Sequence, residues 1–132
     1  MFDALSVAGQ SEANSERLFA QIATDLQTSG FSINYSALPA DLSNRLSSHL
    51  KHMDAAKFEE AGIGRDRAFT RNESIRRDEI CWITGESDAG RDWLAWMQEM
   101  RLFLNRRLFL GLFSFESHFA HYAAGDFYKR HV

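Results

Sequence analysis

The sequence predicts an α+β fold, and three observations carry that prediction. Apolar residues recur at helical spacing in three separate runs, from Leu18 to Leu26, from Leu42 to Met53 and from Trp93 to Leu104. Short segments of alternating or β-branched character begin at Phe31, Glu79, Phe113 and Phe127. The third observation is compositional. Of 132 residues, 45% are hydrophobic and 13% aromatic, with 11 phenylalanines and a single proline, which is enough apolar material for one core of large flat side chains. With no repeats, no low-complexity segment and no linker, residues 1–132 read as one domain.

The elements follow in order. From about Ser15, the positions Leu18, Phe19, Ile22 and Leu26 form one helical stripe, and Gly30 stands where a C-terminal cap falls. FSINYS, Phe31 to Ser36, alternates Phe31, Ile33 and Tyr35 against polar residues and predicts a half-buried strand. Pro39 suits a first helical position, and Leu42, Leu46, Leu50 and Met53 make a second stripe behind it. The stretch from Gly62 to Arg77 is rich in arginine and poor in apolar residues, which predicts a polar loop with one short extended piece. EICWI, Glu79 to Ile83, reads as a strand ending at Gly85. Ser87 or Asp88 caps the strongest helix, whose stripe is Trp93, Met97, Met100 and Leu104, widened by Trp96 and Phe103, and which is expected to end near Gly111. FSFESHFAHY, Phe113 to Tyr122, predicts a long strand, AAGD a turn, and FYKRHV the next strand.

Charge and cysteine content narrow the functional classes. A net charge of -3 gives no global excess of positive charge to displace phosphate counterions, which argues against a dedicated nucleic-acid binder. The arginines from Arg65 to Arg77 lack the interleaved aromatics of a base-stacking platform. One cysteine, Cys81, forms neither an internal disulfide nor a multi-cysteine zinc site, and beside Trp82 it reads as a small hydrophobe. No run approaches the roughly 20 apolar residues of a membrane span. MFDALSVAGQ lacks the features of a secretory signal, so the expected location is the cytoplasm.

Three of the five histidines, His118, His121 and His131, lie near the C-terminal end. His118 and His121 fall on opposite faces of a strand, and neither spacing matches a helical zinc pair. His131 is distinguished by its place. Non-haem iron oxygenases hold Fe(II) with two histidines and one carboxylate, and a strand offers two of these ligands as His-x-Asp because residues two apart share a face. Here His131 and Val132 supply the first two positions, and the carboxylate position follows the last residue.

IRRDEICWI (Ile75 to Ile83), the helix bearing Trp93 and Leu104-Asn105, and HYAAGDFYKRHV together resemble the prolyl-4-hydroxylase-like branch of the Fe(II)/2-oxoglutarate-dependent dioxygenases. Within that branch the pattern is similar to the hypoxia-inducible-factor prolyl hydroxylases and their bacterial relatives. The turn AAGDF is one residue shorter than in the animal members. The resemblance implies a double-stranded β-helix, a jelly roll buttressed by helices, with iron between its two sheets. It implies Fe(II) and 2-oxoglutarate as cofactors, ascorbate as a supporting reductant, and a protein or peptide substrate hydroxylated on a prolyl or similar residue. By position it makes His131 the first iron ligand, sets Tyr122 beside 2-oxoglutarate, and puts Tyr128, Arg76 and Asp78 on the substrate side of the cleft.

Each of these residues also has a plainer reading. Tyr122 and Tyr128 are ordinary amphipathic strand residues without the motif. Arg76, Arg77 and Asp78 read as a solvated charge cluster, and Trp82, Trp93 and Trp96 as core. About four strands are found where a complete jelly roll needs about eight. The expectation is therefore the N-terminal part of a longer dioxygenase, inactive alone and prone to self-association through open strand edges. The rival expectation is a non-catalytic protein-interaction module derived from the same fold.

Overall fold

A computed structural model of the chain describes residues 4–62 and 75–130. Their elements are three helices, α1 (Ala4–Ser29), α2 (Ala40–His52) and α3 (Asp88–Leu108), and three strands, β1 (Glu59–Glu60), β2 (Glu79–Trp82) and β3 (His118–His121). The α+β class holds. Among the described residues the strands form one small antiparallel sheet of order β1-β2-β3, and no jelly roll is present. The chain divides into two compact units, Met1–Ser47 with Gly85–Phe115, and Ser48–Thr84 with Glu116–Val132.

The first unit is built by α1 against α3. Phe19, only 3% exposed, packs its ring 5.3 Å from that of Trp96 and 5.9 Å from that of Phe103. Burying such a side chain contributes about 1.5 to 3 kcal/mol. Trp96 donates its indole N–H to the Ser15 hydroxyl at 3.1 Å, so the one polar atom of this ring cluster keeps a partner. Leu104, Ala89, Ala23 and Leu42 complete the buried set.

Helix α1 begins eleven residues before the expected Ser15. From Val7 to Asn14 it is exposed or half-buried, with no apolar stripe for periodicity to reveal. Alanine-rich composition and side-chain pairs one turn apart, such as Gln10 donating to Asn14 at 3.1 Å, support it instead. It stops as expected at Gly30, whose φ of +79° favours glycine and whose N–H donates to the Leu26 carbonyl at 3.1 Å. The strand expected at Phe31 to Ser36 is absent. Ser32 donates to the Asp25 carboxylate at 2.6 Å and Asn34 to Ser32 at 2.7 Å, so the segment is tied by side chains to α1 rather than by its backbone to a sheet. Phe31, Ile33 and Tyr35 are accordingly 63, 68 and 92% exposed, and Ser36 leaves the extended region at φ +54°.

Pro39 sits one residue before α2, where its carbonyl accepts from the Ser43 N–H at 2.9 Å. Ser87 caps α3: its hydroxyl accepts from the Gly90 N–H at 3.0 Å. Replacing Ser87 by alanine is expected to cost about 1 kcal/mol, read as a lower urea midpoint with an unchanged slope. Helix α3 ends at Leu108, ahead of the expected Gly111, because Phe109 turns left-handed at φ +54°. Asn105 then holds the following loop by both amide atoms, donating to the Leu112 carbonyl at 2.8 Å and accepting from its N–H at 2.9 Å.

In the second unit, β2 pairs with β3 in the register Glu79 to His121, Ile80 to Ala120, Cys81 to Phe119 and Trp82 to His118. The strand expected from Phe113 is thus much shorter, although Ser117 still accepts from the Ile83 N–H at 2.8 Å. Strand β1, which has no counterpart among the sequence expectations, pairs Glu59 with Ile80 and Glu60 with Glu79. Trp82, expected in the core, is 52% exposed, and the His118 ring meets it edge-on at 5.5 Å.

The end of the chain departs most from expectation. Where FYKRHV was expected to begin the next strand, its described residues, 127–130, make an isolated antiparallel bridge. Tyr128 bridges to Arg76, Arg77 donates to the Phe127 carbonyl at 3.0 Å, and Lys129 donates to the Ile75 carbonyl at 2.9 Å. Residues 127–129 therefore resume the antiparallel ladder that β3 began, further along the same partner. Ala123 to Asp126 are a loop looped out of that ladder, closed by Asp126 N–H on the Ala123 carbonyl at 3.0 Å and by Ala123 N–H on the Asp126 carboxylate at 2.8 Å. Gly125, at φ +89°, makes the turn possible.

Candidate functional site

The looped-out turn is what assembles the candidate site. The pairing of Glu79 with His121 sets Asp78 opposite Tyr122, and the bridge sets Arg76 opposite Tyr128. Looping out an even number of residues keeps Tyr122 and Tyr128 on the same face, because strand side chains alternate. Four side chains named from the sequence are thereby brought together on the face that carries Ile80.

Their side chains engage one another. Arg76 grips Asp78 as a fork, Nε to Oδ1 at 2.5 Å and Nη2 to Oδ2 at 2.8 Å, the two-point geometry that suits guanidinium to carboxylate. The side chain of Asp78 is fully buried and that of Arg76 9% exposed, so the solvated charge cluster is corrected at these two positions; Arg77 between them is exposed. Alternation accounts for the difference, since 76 and 78 share the inner face and 77 does not. The Arg76 guanidinium also lies 4.4 Å from the centre of the Tyr128 ring, a cation resting on a π face. Tyr122 follows His121 in the ladder and so stands across from Asp78, close enough for the two groups to act on each other electrostatically.

Electrostatics follow from this packing. The Arg76 hydrogen bonds hold the Asp78 carboxyl below the usual carboxylate range against the opposing effect of burial. Arg76 is pushed up in turn by Asp78. The Tyr122 hydroxyl is raised, first by desolvation and then by the neighbouring Asp78 charge. An ionised carboxylate with its oxygens already engaged is a poor base, and a tyrosine with a raised pKa is a poor nucleophile at neutral pH. What the cluster can do is bind and orient.

Other expected residues stand apart. His131 lies outside the described residues, as do Arg65, Arg67 and Arg71. His121 approaches Glu79 at 3.6 Å and His118 meets Trp82 edge-on, so neither joins the Arg76 cluster. Among the described residues no three His, Cys, Asp or Glu side chains converge to hold a metal ion. No helix there is long and apolar enough to cross a membrane. Sequence reasoning missed the mutual burial of Arg76 and Asp78; their i, i+2 spacing directly before the β-branched EICWI was the available signal.

The chain is similar in sequence and structure to the crystal structure of a Pseudomonas putida prolyl-4-hydroxylase, with 40% identity and a TM-score of 0.75 over 86% of this chain and 60% of that one. It therefore spans less than two thirds of the length of the protein it matches. No protein-family model matches the chain, and no curated protein sequence does.

Proposed function

We propose that this chain is part of an Fe(II)- and 2-oxoglutarate-dependent dioxygenase that hydroxylates a prolyl or similar residue in a protein or peptide. The observation that carries this reading is the 40% identity to a prolyl-4-hydroxylase across 86% of the chain, a span that reaches well beyond any single motif. The Arg76, Asp78, Tyr122 and Tyr128 cluster supports it, because these residues lie in the segments whose pattern resembles that branch. In this reading His131 is a metal ligand, Tyr122 borders the cosubstrate, and Tyr128, Arg76 and Asp78 face the substrate. The described residues do not themselves make a metal site. What the cluster contributes is a rigid, charge-balanced wall with one aromatic face and one hydroxyl turned to the cleft.

The test is succinate production by the full-length protein supplied with Fe(II), 2-oxoglutarate and proline-containing peptides. Turnover that depends on peptide, with the peptide gaining the mass of one oxygen atom, is the expected result. Peptide binding without any consumption of 2-oxoglutarate would instead favour the non-catalytic interaction module.

A further inference from the structure

The loop that follows α3 exposes aromatic side chains from a fixed backbone. Asn105 holds Leu112 by both amide atoms, and Arg101 adds a third bond, donating from Nη1 to the Leu112 carbonyl at 2.5 Å. Phe109 and Phe113 nevertheless stand 93% and 87% exposed, with Leu110 and Leu112 exposed between them. Phe109 also occupies a left-handed position, φ +54°, where glycine is favoured. Its ring thus carries a backbone cost and buries almost nothing in its own chain, and a strained, exposed aromatic residue of that kind points to a use outside the local fold. Arg106 and Arg107, both exposed in the last turn of α3, put positive charge beside it.

A complementary surface lies on the same unit. A groove of about 340 Å³ runs among α1, α2 and α3, lined by the buried Leu42 and the half-buried Pro39 and Trp96. Its acidic side chains are Glu12, Asp41, Asp92 and Glu99. Against them the lining sets the Arg45 guanidinium, which pairs with Asp92 and approaches Asp41 at 3.8 Å. The groove therefore carries an excess of negative charge over an apolar base.

We propose that the Phe109–Phe113 loop of one copy docks in this groove of a second copy, its aromatic side chain against Leu42 and Trp96, and Arg106 and Arg107 against Glu12 and Glu99. Charge selects the pairing. Two basic loop flanks repel each other, as do two acidic grooves, whereas loop and groove attract. The contact is therefore heterologous, and it can repeat from copy to copy instead of closing on itself. It does not depend on the dioxygenase reading.

Sedimentation equilibrium of the 132-residue chain tests this with two variants. Phe109→Gly removes the ring and relieves the left-handed strain, so the loop keeps its shape. Glu12→Arg combined with Glu99→Arg reverses the charge of the groove at two exposed positions. Circular dichroism and urea midpoints check that both variants fold. The wild type should self-associate as concentration rises, less so with added salt. Either variant alone should self-associate at least about tenfold more weakly. An equimolar mixture of the two should recover a one-to-one complex, because the first supplies an intact groove and the second an intact loop. A wild type that stays monomeric at every concentration overturns the proposal. Self-association that survives in both variants also overturns it and places the contact at the open strand edges, and a mixture that stays monomeric rules out docking of loop into groove.

Discussion

Replacing Asp78 by alanine is expected to lower the stability of the chain by about 3 to 5 kcal/mol, the usual cost of removing one partner from a buried ion pair. The size follows from what remains. Arg76 is 9% exposed in its side chain, cannot deprotonate, and would lose its carboxylate while keeping the Tyr128 ring against its charge. Urea denaturation at pH 7 measures the loss directly. Against a total stability of about 5 to 15 kcal/mol for a typical domain, it is a large fraction.

The converse substitution, Arg76→Ala, is expected to be milder in acid because the stranded partner can neutralise itself. Its pH dependence should also change sign. In the wild type the folded pKa of Asp78 is depressed, so its contribution is present above the unfolded value of about 3.9 and is lost as pH falls through the folded value. Without Arg76, burial dominates and raises the folded pKa above the unfolded one. The contribution is then present below the unfolded pKa and lost as pH rises through the folded one. Stability of Arg76→Ala should therefore fall between pH 4 and 7, where the wild type holds steady or gains.

Much of the architecture was legible where local chemistry decides it. Helix α3 shows its cap at Ser87 and its stripe from Trp93 to Leu104, and β2 shows as EICWI, because both bury residues at a fixed period. The errors occur where a partner elsewhere in the chain decides. Phe31, Ile33 and Tyr35 alternate like a strand, yet no backbone pairs with them and Asp25 binds Ser32 instead. The N-terminal half of α1 is helical without an apolar stripe, so periodicity has nothing to detect. For the site, the resemblance brought Arg76, Asp78, Tyr122 and Tyr128 into view, but their arrangement was hidden. AAGD reads as a turn before a next strand, and the bridge of Tyr128 to Arg76 shows that the chain rejoins the same ladder. Asn105 likewise looks like any polar helix residue until its clamp on Leu112 is seen.

The role proposed for His131 is that of a metal ligand in a 2-oxoglutarate-dependent dioxygenase, with the Arg76 and Asp78 cluster proposed to wall its cleft. Its most direct test is succinate formation by the full-length protein carrying His131→Ala, with the far-ultraviolet circular dichroism recorded in parallel. Loss of one of three ligands removes the chelating geometry that holds Fe(II), so essentially all coupled turnover should disappear while the spectrum stays that of the wild type. Turnover retained by a folded His131→Ala protein would contradict the account.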